Sequence, residues 1–222
     1  MAKAVRLISR IPVIVAGWQR IRQGASPLPS KDALSHAANF LWQLTGKEPD
    51  EGIARDLDIA LLLHADHSFN ASTFACREVT STGAHMYASV AAGVGALSGK
   101  LHGGANTEVV KMLLELKGEK DIPGWIRNRL ETGLKIMGLG HAVYKTLDPR
   151  APFLRDMCFA LGEKLHQDDW CQLLARIEQS ATAELAKRGK ETVRPNVDFW
   201  SASVYQFMGI PLDLMTAVFA VA

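Results

Sequence analysis

Apolar residues recur at helical spacing through most of this chain. No stretch shows the sustained period-two alternation, rich in β-branched residues, that marks a strand. That pattern commits the chain to an all-α fold with few strands or none. Helices read over residues 5–22, 35–45, 52–64, 71–82, 107–116, 124–135, 151–166, 168–188 and 198–209. Pro12 breaks or starts the first, Gly46 ends the second, and Asp50 and Asp168 read as caps. Ala38, Leu41, Trp42 and Thr45 share one face of the second helix; Ile53, Leu57, Ala60 and Leu61 share one face of the third. Residues 86–97, MYASVAAGVGAL, are apolar and full of Ala and Gly, which suits close packing of helices. Pro211 opens a last helix that the chain cuts off at Ala222, so the sequence reads as a fragment.

The 222 residues are enough for one large domain or two modest ones. Twenty-five basic residues face 23 acidic ones, so nothing points to nucleic acid or an acidic membrane surface. Cys76, Cys158 and Cys171 are odd in number and lack metal-site or disulfide spacing, so reduced thiols are expected. The apolar run IPVIVAG at 11–17 is far too short to span a bilayer. No acidic residue precedes Asp32, a bias shared with mitochondrial transit peptides. Pro12 interrupts the amphipathic pattern, and GASPLP at 24–29 reads as an ordinary loop after a helix. An interior basic helix is therefore preferred, and cytoplasm over mitochondrial matrix.

Four places concentrate polar groups near Gly or Pro. In SGKLHGGAN, residues 98–106, His102 sits between the Ala/Gly-rich run and a helix start. The first-turn N–H groups of that following helix disfavour a cation, so His102 stays neutral and can donate to a carbonyl. Gly103 and Gly104 let the backbone turn and be approached closely. In HADHSFN, His64 and His67 are three apart, on one helical face if the helix continues. They suit a metal pair, or a helix end where His67 caps or meets a ligand. In GLGHAVYKTLDPR, Gly138 and Gly140 leave backbone open to a bulky ligand near His141. Arg150 suits a carboxylate or phosphate, or an ion pair at a helix start. In RPNVDFW, Asp198 is an N-cap or a base. The glycines of GVGALSG have the wrong spacing for a dinucleotide fingerprint and no preceding strand.

Together these residues suit proton abstraction beside a carbonyl. Asp198 is the base, neutral His102 holds the enol oxygen, a second histidine polarises an electrophilic carbonyl, and Arg150 holds a carboxylate. Two rival readings use the same residues differently: a metal-dependent hydrolase on His64, Asp66, His67 and His102, and a non-catalytic helical interaction module.

The chain resembles the citrate synthase family along nearly its whole length. The likeness is carried by RLISRIPVIVAGWQRIRQG, LSHAANFLWQLTGKEPD, LLLHADHSFNASTFACR, GALSGKLHGGANTEVVKML, GLGHAVYKTLDPRAP and RPNVDFWSASVYQFMGIPLDLMTAVFA. The resemblance implies condensation of acetyl-CoA with oxaloacetate and hydrolysis of citryl-CoA to citrate and CoA, without metal or other cofactor. It assigns catalysis to His102, His141 and Asp198, oxaloacetate binding to His67 and Arg150, and CoA contact to Met137, Gly138, Leu139 and Gly140. It implies a two-domain helical fold: a large-domain segment at 1–102, a small domain at 103–208, and re-entry into the large domain at 209–222. It also implies a homodimer through the helices near 71–97. Family members extend beyond both ends and carry two further arginines that have no match here, so the chain by itself is expected to be weakly active or inactive. Propionyl-CoA chemistry, as in 2-methylcitrate synthase, is the nearest alternative; one methylene in a pocket discriminates by only about 1–3 kcal/mol.

Overall fold

A computed structural model describes residues 1–99, 102–141, 144 and 146–222. Lys100, Leu101, Ala142, Val143 and Lys145, within two of the stretches singled out above, lie outside the described residues. The described residues form α-helices, one short 3-10 turn at Leu212–Leu214, and a single isolated antiparallel bridge between Leu139 and Pro195. The fold is all-α. None of the described helices is long and apolar enough to cross a membrane.

The chain divides into two units. The first takes residues 1–104 and 209–222. It holds α1 (Ala2–Arg22), α2 (His36–Thr45), α3 (Glu51–His64), α4 (Ala71–Ser81), α5 (Met86–Leu97) and α11 (Met215–Val221). α1 packs on α2 and α11, α2 on α3, and α4 on α5. Ala16, Phe40, Leu57, Ala60, Met215 and Val218 are sealed in its core. An ion pair between Arg22 and Asp213 ties the end of α1 to the turn before α11.

The second unit, residues 105–208, is continuous in sequence. It holds α6 (Ala105–Glu115), α7 (Ile122–Glu131), α8 (Ala151–Lys164), α9 (Asp168–Lys187) and α10 (Val197–Phe207). α10 packs on α8 and α6, and α9 on α7 and α8. Phe199, Trp200 and Tyr205 of α10 are buried, as are Leu113 of α6 and Leu154 of α8. The Cys158 and Cys171 thiols meet at 3.4 Å between α8 and α9, and all three cysteines are free.

Local chemistry explains most helix ends. Ser35, Asp50 and Asn70 each accept a first-turn N–H, capping α2, α3 and α4. Gly46 closes α2 at φ +78°, a left-handed position that glycine takes without strain.

Several sequence readings are corrected. α1 runs unbroken through Pro12, whose ring is buried, because packing against α2 and α11 holds the turns on either side. Ala38 and Leu41 of α2 are buried as read, joined by Ala37, Phe40, Gln43 and Leu44, while Trp42 is half-buried and Thr45 is exposed. On α3, Ala54 is buried in place of Ile53. α7 begins before Gly124, with Asp121 as cap and Pro123 in the first turn, where its missing N–H costs nothing. Asp168 is the first residue of α9 rather than its cap.

Candidate functional site

Each unit builds its own share of the candidate residues. In the first unit they gather at the start of α4. α3 ends at His64, as the sequence reads, so His67 lies in the bend beyond it and the two do not share a helical face; of the two sequence readings, the helix end stands. The His64 Nδ1 lies 2.7 Å from the Ala60 carbonyl, to which it donates, and its ring meets Phe219 edge-on. The Asp66 carboxylate accepts the Ser68 amide at 3.0 Å, and Ser68 takes φ +52°. This turn delivers Asn70 to its capping position and leaves His67 beside the helix start, half-buried. Among the described residues, no three His, Cys, Asp or Glu side chains cluster so as to hold a metal ion.

His102 stands in the turn after α5. Its Nε2 lies 3.3 Å from the Ser72 backbone nitrogen and 2.7 Å from Ser72 Oγ. A backbone N–H can only donate, so Nε2 is the bare nitrogen and the ring proton sits on Nδ1. Burial lowers the His102 pKa. A donor aimed at the neutral ring works in the same direction. The sequence reading ascribes neutrality to the helix that follows the motif; the first turn of α4 supplies the N–H here. A side chain at Gly103 would strike the Leu97 carbonyl and Thr216, whose hydroxyl donates to the Gly103 carbonyl at 2.7 Å. The close approach that this glycine permits is therefore taken by its own chain.

In the second unit the candidates surround the start of α10. Asn196 caps α10 by accepting the Asp198 amide at 3.0 Å. Asp198 is the second residue of the helix, so its carboxylate is released from the capping role that the sequence allowed. Asn196 also donates from Nδ2 to the Gly140 carbonyl at 2.8 Å and from its backbone to the Gly138 carbonyl at 2.9 Å. The Gly140 amide donates to the Arg194 carbonyl at 2.8 Å. Residues 138–140 are thus laced onto 194–196. Gly138 takes φ +77°, and a Cβ there would meet the Phe199 backbone at 2.8 Å. Gly138 lets α10 close in, where the sequence reading has open backbone; Met137, Leu139 and Gly140 keep partial exposure.

The His141 Nδ1 accepts the Tyr144 amide at 3.1 Å, and its ring lies tilted against Tyr144. By the argument used for His102, the neutral ring carries its proton on the opposite nitrogen, Nε2, in His141. Arg150 stands at the start of α8 and meets Asp148 through Nε at 2.9 Å and Nη2 at 2.7 Å. The helix-start ion pair is real, and it leaves the Nη1 side of the guanidinium as the edge not engaged by Asp148.

Asp148 is the residue that sequence reasoning missed. It is 1% exposed, and it accepts the Arg150 backbone amide and the Val197 amide as well as the guanidinium. Burial alone would raise its pKa, but the bonds from Arg150 and Val197 hold it below the usual carboxylate range. The signal was an acid two residues before an arginine at a helix start. Asp198 sits beside this pair. Burial pushes its carboxyl up to about 6, Arg150 opposing and Asp148 adding to the rise. A carboxylate so placed is a competent base near neutrality.

A family model described as "Citrate synthase, C-terminal domain" matches residues 1–222. Citrate synthase of Synechocystis is 42% identical over the whole chain, which covers 55% of that protein. 2-Methylcitrate synthase of Mycobacterium tuberculosis is 35% identical, again over the whole chain and 55% of the relative. Among solved structures, citrate synthase from Pyrobaculum aerophilum is 38% identical with a TM-score of 0.87, over 97% of this chain and 53% of that one. The Thermoplasma acidophilum enzyme, solved as a ternary complex with carboxymethyl coenzyme A and oxaloacetate, is 30% identical with a TM-score of 0.85, over 96% and 56%. The chain spans about half the length of the relatives it matches.

Proposed function

This chain belongs to the citrate synthase family, a family of acyltransferases, and from that premise we propose that it carries the condensation of acetyl-CoA with oxaloacetate. Asp198 takes a proton from the acetyl methyl group. His102 donates from Nδ1 to the thioester oxygen and stabilises the enol. The enol carbon attacks the oxaloacetate ketone, whose oxygen His141 polarises from Nε2 and protonates. Water then cleaves the citryl-CoA thioester and releases citrate and CoA. Arg150, through its Nη1 side, and His67 hold oxaloacetate carboxylates. Met137, Leu139 and Gly140, which keep partial exposure around the buried Gly138, face CoA. No metal or organic cofactor enters this scheme.

The observation that carries the reading is Asp198, a carboxyl pushed up to about 6 in a helix start where another residue does the capping. The two histidines support it, since a backbone amide fixes the tautomer of each ring. Residues 1–104 with 209–222 correspond in this reading to large-domain pieces, and 105–208 to the small domain. A second copy packs over α4 and α5, where Phe69, Phe74, Met86, Tyr87 and Val94 are exposed. The compartment is the cytoplasm.

The test is CoA release from acetyl-CoA, followed with a thiol reagent, with and without oxaloacetate. Release that depends on oxaloacetate and falls at least about a hundredfold in Asp198→Asn is expected. Release that ignores oxaloacetate, or survives that substitution, overturns the reading. Running propionyl-CoA in parallel decides between the citrate and 2-methylcitrate reactions.

A further inference from the structure

Asn106 is the second residue of α6, wholly buried, and its side chain meets α10. Its side-chain oxygen accepts from Ser201 Oγ at 2.7 Å and from the Ala202 backbone amide at 3.1 Å, and its Nδ2 donates to Asp198 Oδ1 at 2.6 Å. This is the orientation in which every donor meets an acceptor. The Ala202 amide decides it. A hydroxyl such as Ser201 can turn to suit either end of an asparagine, but a backbone N–H cannot. The amide oxygen must face Ala202, so the amide nitrogen must face Asp198.

We infer that Asn106 is a positioning residue for Asp198: its locked N–H holds Oδ1 and leaves Oδ2 as the oxygen that takes the substrate proton. The inference rests on the reading of Asp198 as the base. It says which oxygen reacts and why a carboxyl in these surroundings is ionised when substrate arrives. The ionisable groups acting on Asp198 are Arg150 and Asp148 at the start of α8, and Tyr205 on its own helix. α6 contributes a neutral donor, which favours the carboxylate without adding a charge that would compete with substrate. Ser201, itself buried, completes the lock from α10.

The test follows the side-chain carboxyl carbon of Asp198 by carbon-13 NMR across pH, with Asp198→Asn to assign the signal. In Asn106→Ala the carboxyl should bind its proton at least about tenfold more tightly than in the unchanged chain. In Asn106→Asp two carboxyls would share the site, and titration should split into two steps. The acid limb of the pH–rate profile for CoA release should move to higher pH in Asn106→Ala. An unchanged titration in a folded Asn106→Ala chain overturns the inference. Should that variant not fold, the unchanged chain still decides. The Asn106 amide protons must shift with pH in step with Asp198, and amide protons indifferent to that titration overturn the inference equally. Failure of the catalytic reading looks different: the amide tracks the titration, yet Asp198→Asn keeps its oxaloacetate-dependent release.

Discussion

α10 and α4 are both eleven residues long, and each presents its first turn to a candidate group, yet nine residues of α10 are buried and none of α4. The difference follows the chemistry asked of each. A carboxyl moved to about 6 needs protein on nearly every side, and the second unit supplies it from α6, α8 and α10 together. A histidine held in a chosen tautomer needs only a fixed donor, and an exposed helix provides one in its unpaired first-turn N–H. Desolvation is a property of a whole neighbourhood, whereas a tautomer is set by one bond.

The harshest way to break this contrast is Asp148→Ala. It strands the mostly buried Arg150 guanidinium and leaves the Val197 amide without its acceptor. Loss of about 3–5 kcal/mol is expected in urea unfolding followed by the fluorescence of the buried Trp200. An effect below 1 kcal/mol would mean that the second unit does not depend on this pair.

Next in size is the pH dependence that Asp198 imposes. Its folded pKa, about 6, lies above the ordinary 3.8, so the folded chain binds the extra proton more tightly. The stability this confers is complete below pH 3.8 and is lost as pH rises through about 6. Asp198→Asn should therefore leave the chain about 2–3 kcal/mol more stable at pH 7 than the unchanged protein and little different at pH 4. Asp148, held low, works with the opposite sign: its contribution is present above the ordinary carboxylate pKa and fades as pH falls through its folded value. Unfolding curves at the two pH values separate the two groups, and equal gains at both would remove Asp198 as the source.

The smallest effect sharpens the α4 side. Ser72→Pro removes both donors to His102 Nε2 at a first-turn position that tolerates proline. Stability should change by less than about 1 kcal/mol, while the His102 pKa rises toward its ordinary 6.5 because the neutral ring has lost its support. Proton NMR of the imidazole reads it, and a pKa left where it was would assign the lowering to burial alone.

Helix type and most helix ends were legible because they depend on near neighbours: Ser35, Asp50, Asn70 and Gly46 all act within four residues. The chemical types at the site were legible too, since His102, His141, Arg150 and Asp198 each stand beside glycine, proline or a turn. What escaped the sequence depends on distant partners. Continuity through Pro12 comes from α2 and α11, and the backbone read as open at Gly138 is covered by Phe199, sixty-one positions away in sequence. Asn106 reads from sequence as an ordinary residue of a helix start; only the return of α10, with Ser201 ninety-five positions on, gives it a role. The turn set by Asp66 and Ser68, which leaves His67 beside the start of α4, is a local feature that periodicity does not register.

The first unit is stitched from two stretches, and the second is inserted whole between them. On the ribosome this sets an order. Once Met208 has emerged, the second unit has every residue of its core, and its contacts are confined to one continuous stretch. The first unit must wait, with Leu57 and Ala60 unsealed, until Met215 and Val218 arrive. The inserted unit can therefore complete its core before the one whose sequence flanks it, and the flanking helices are the ones expected to stay exposed longest during synthesis.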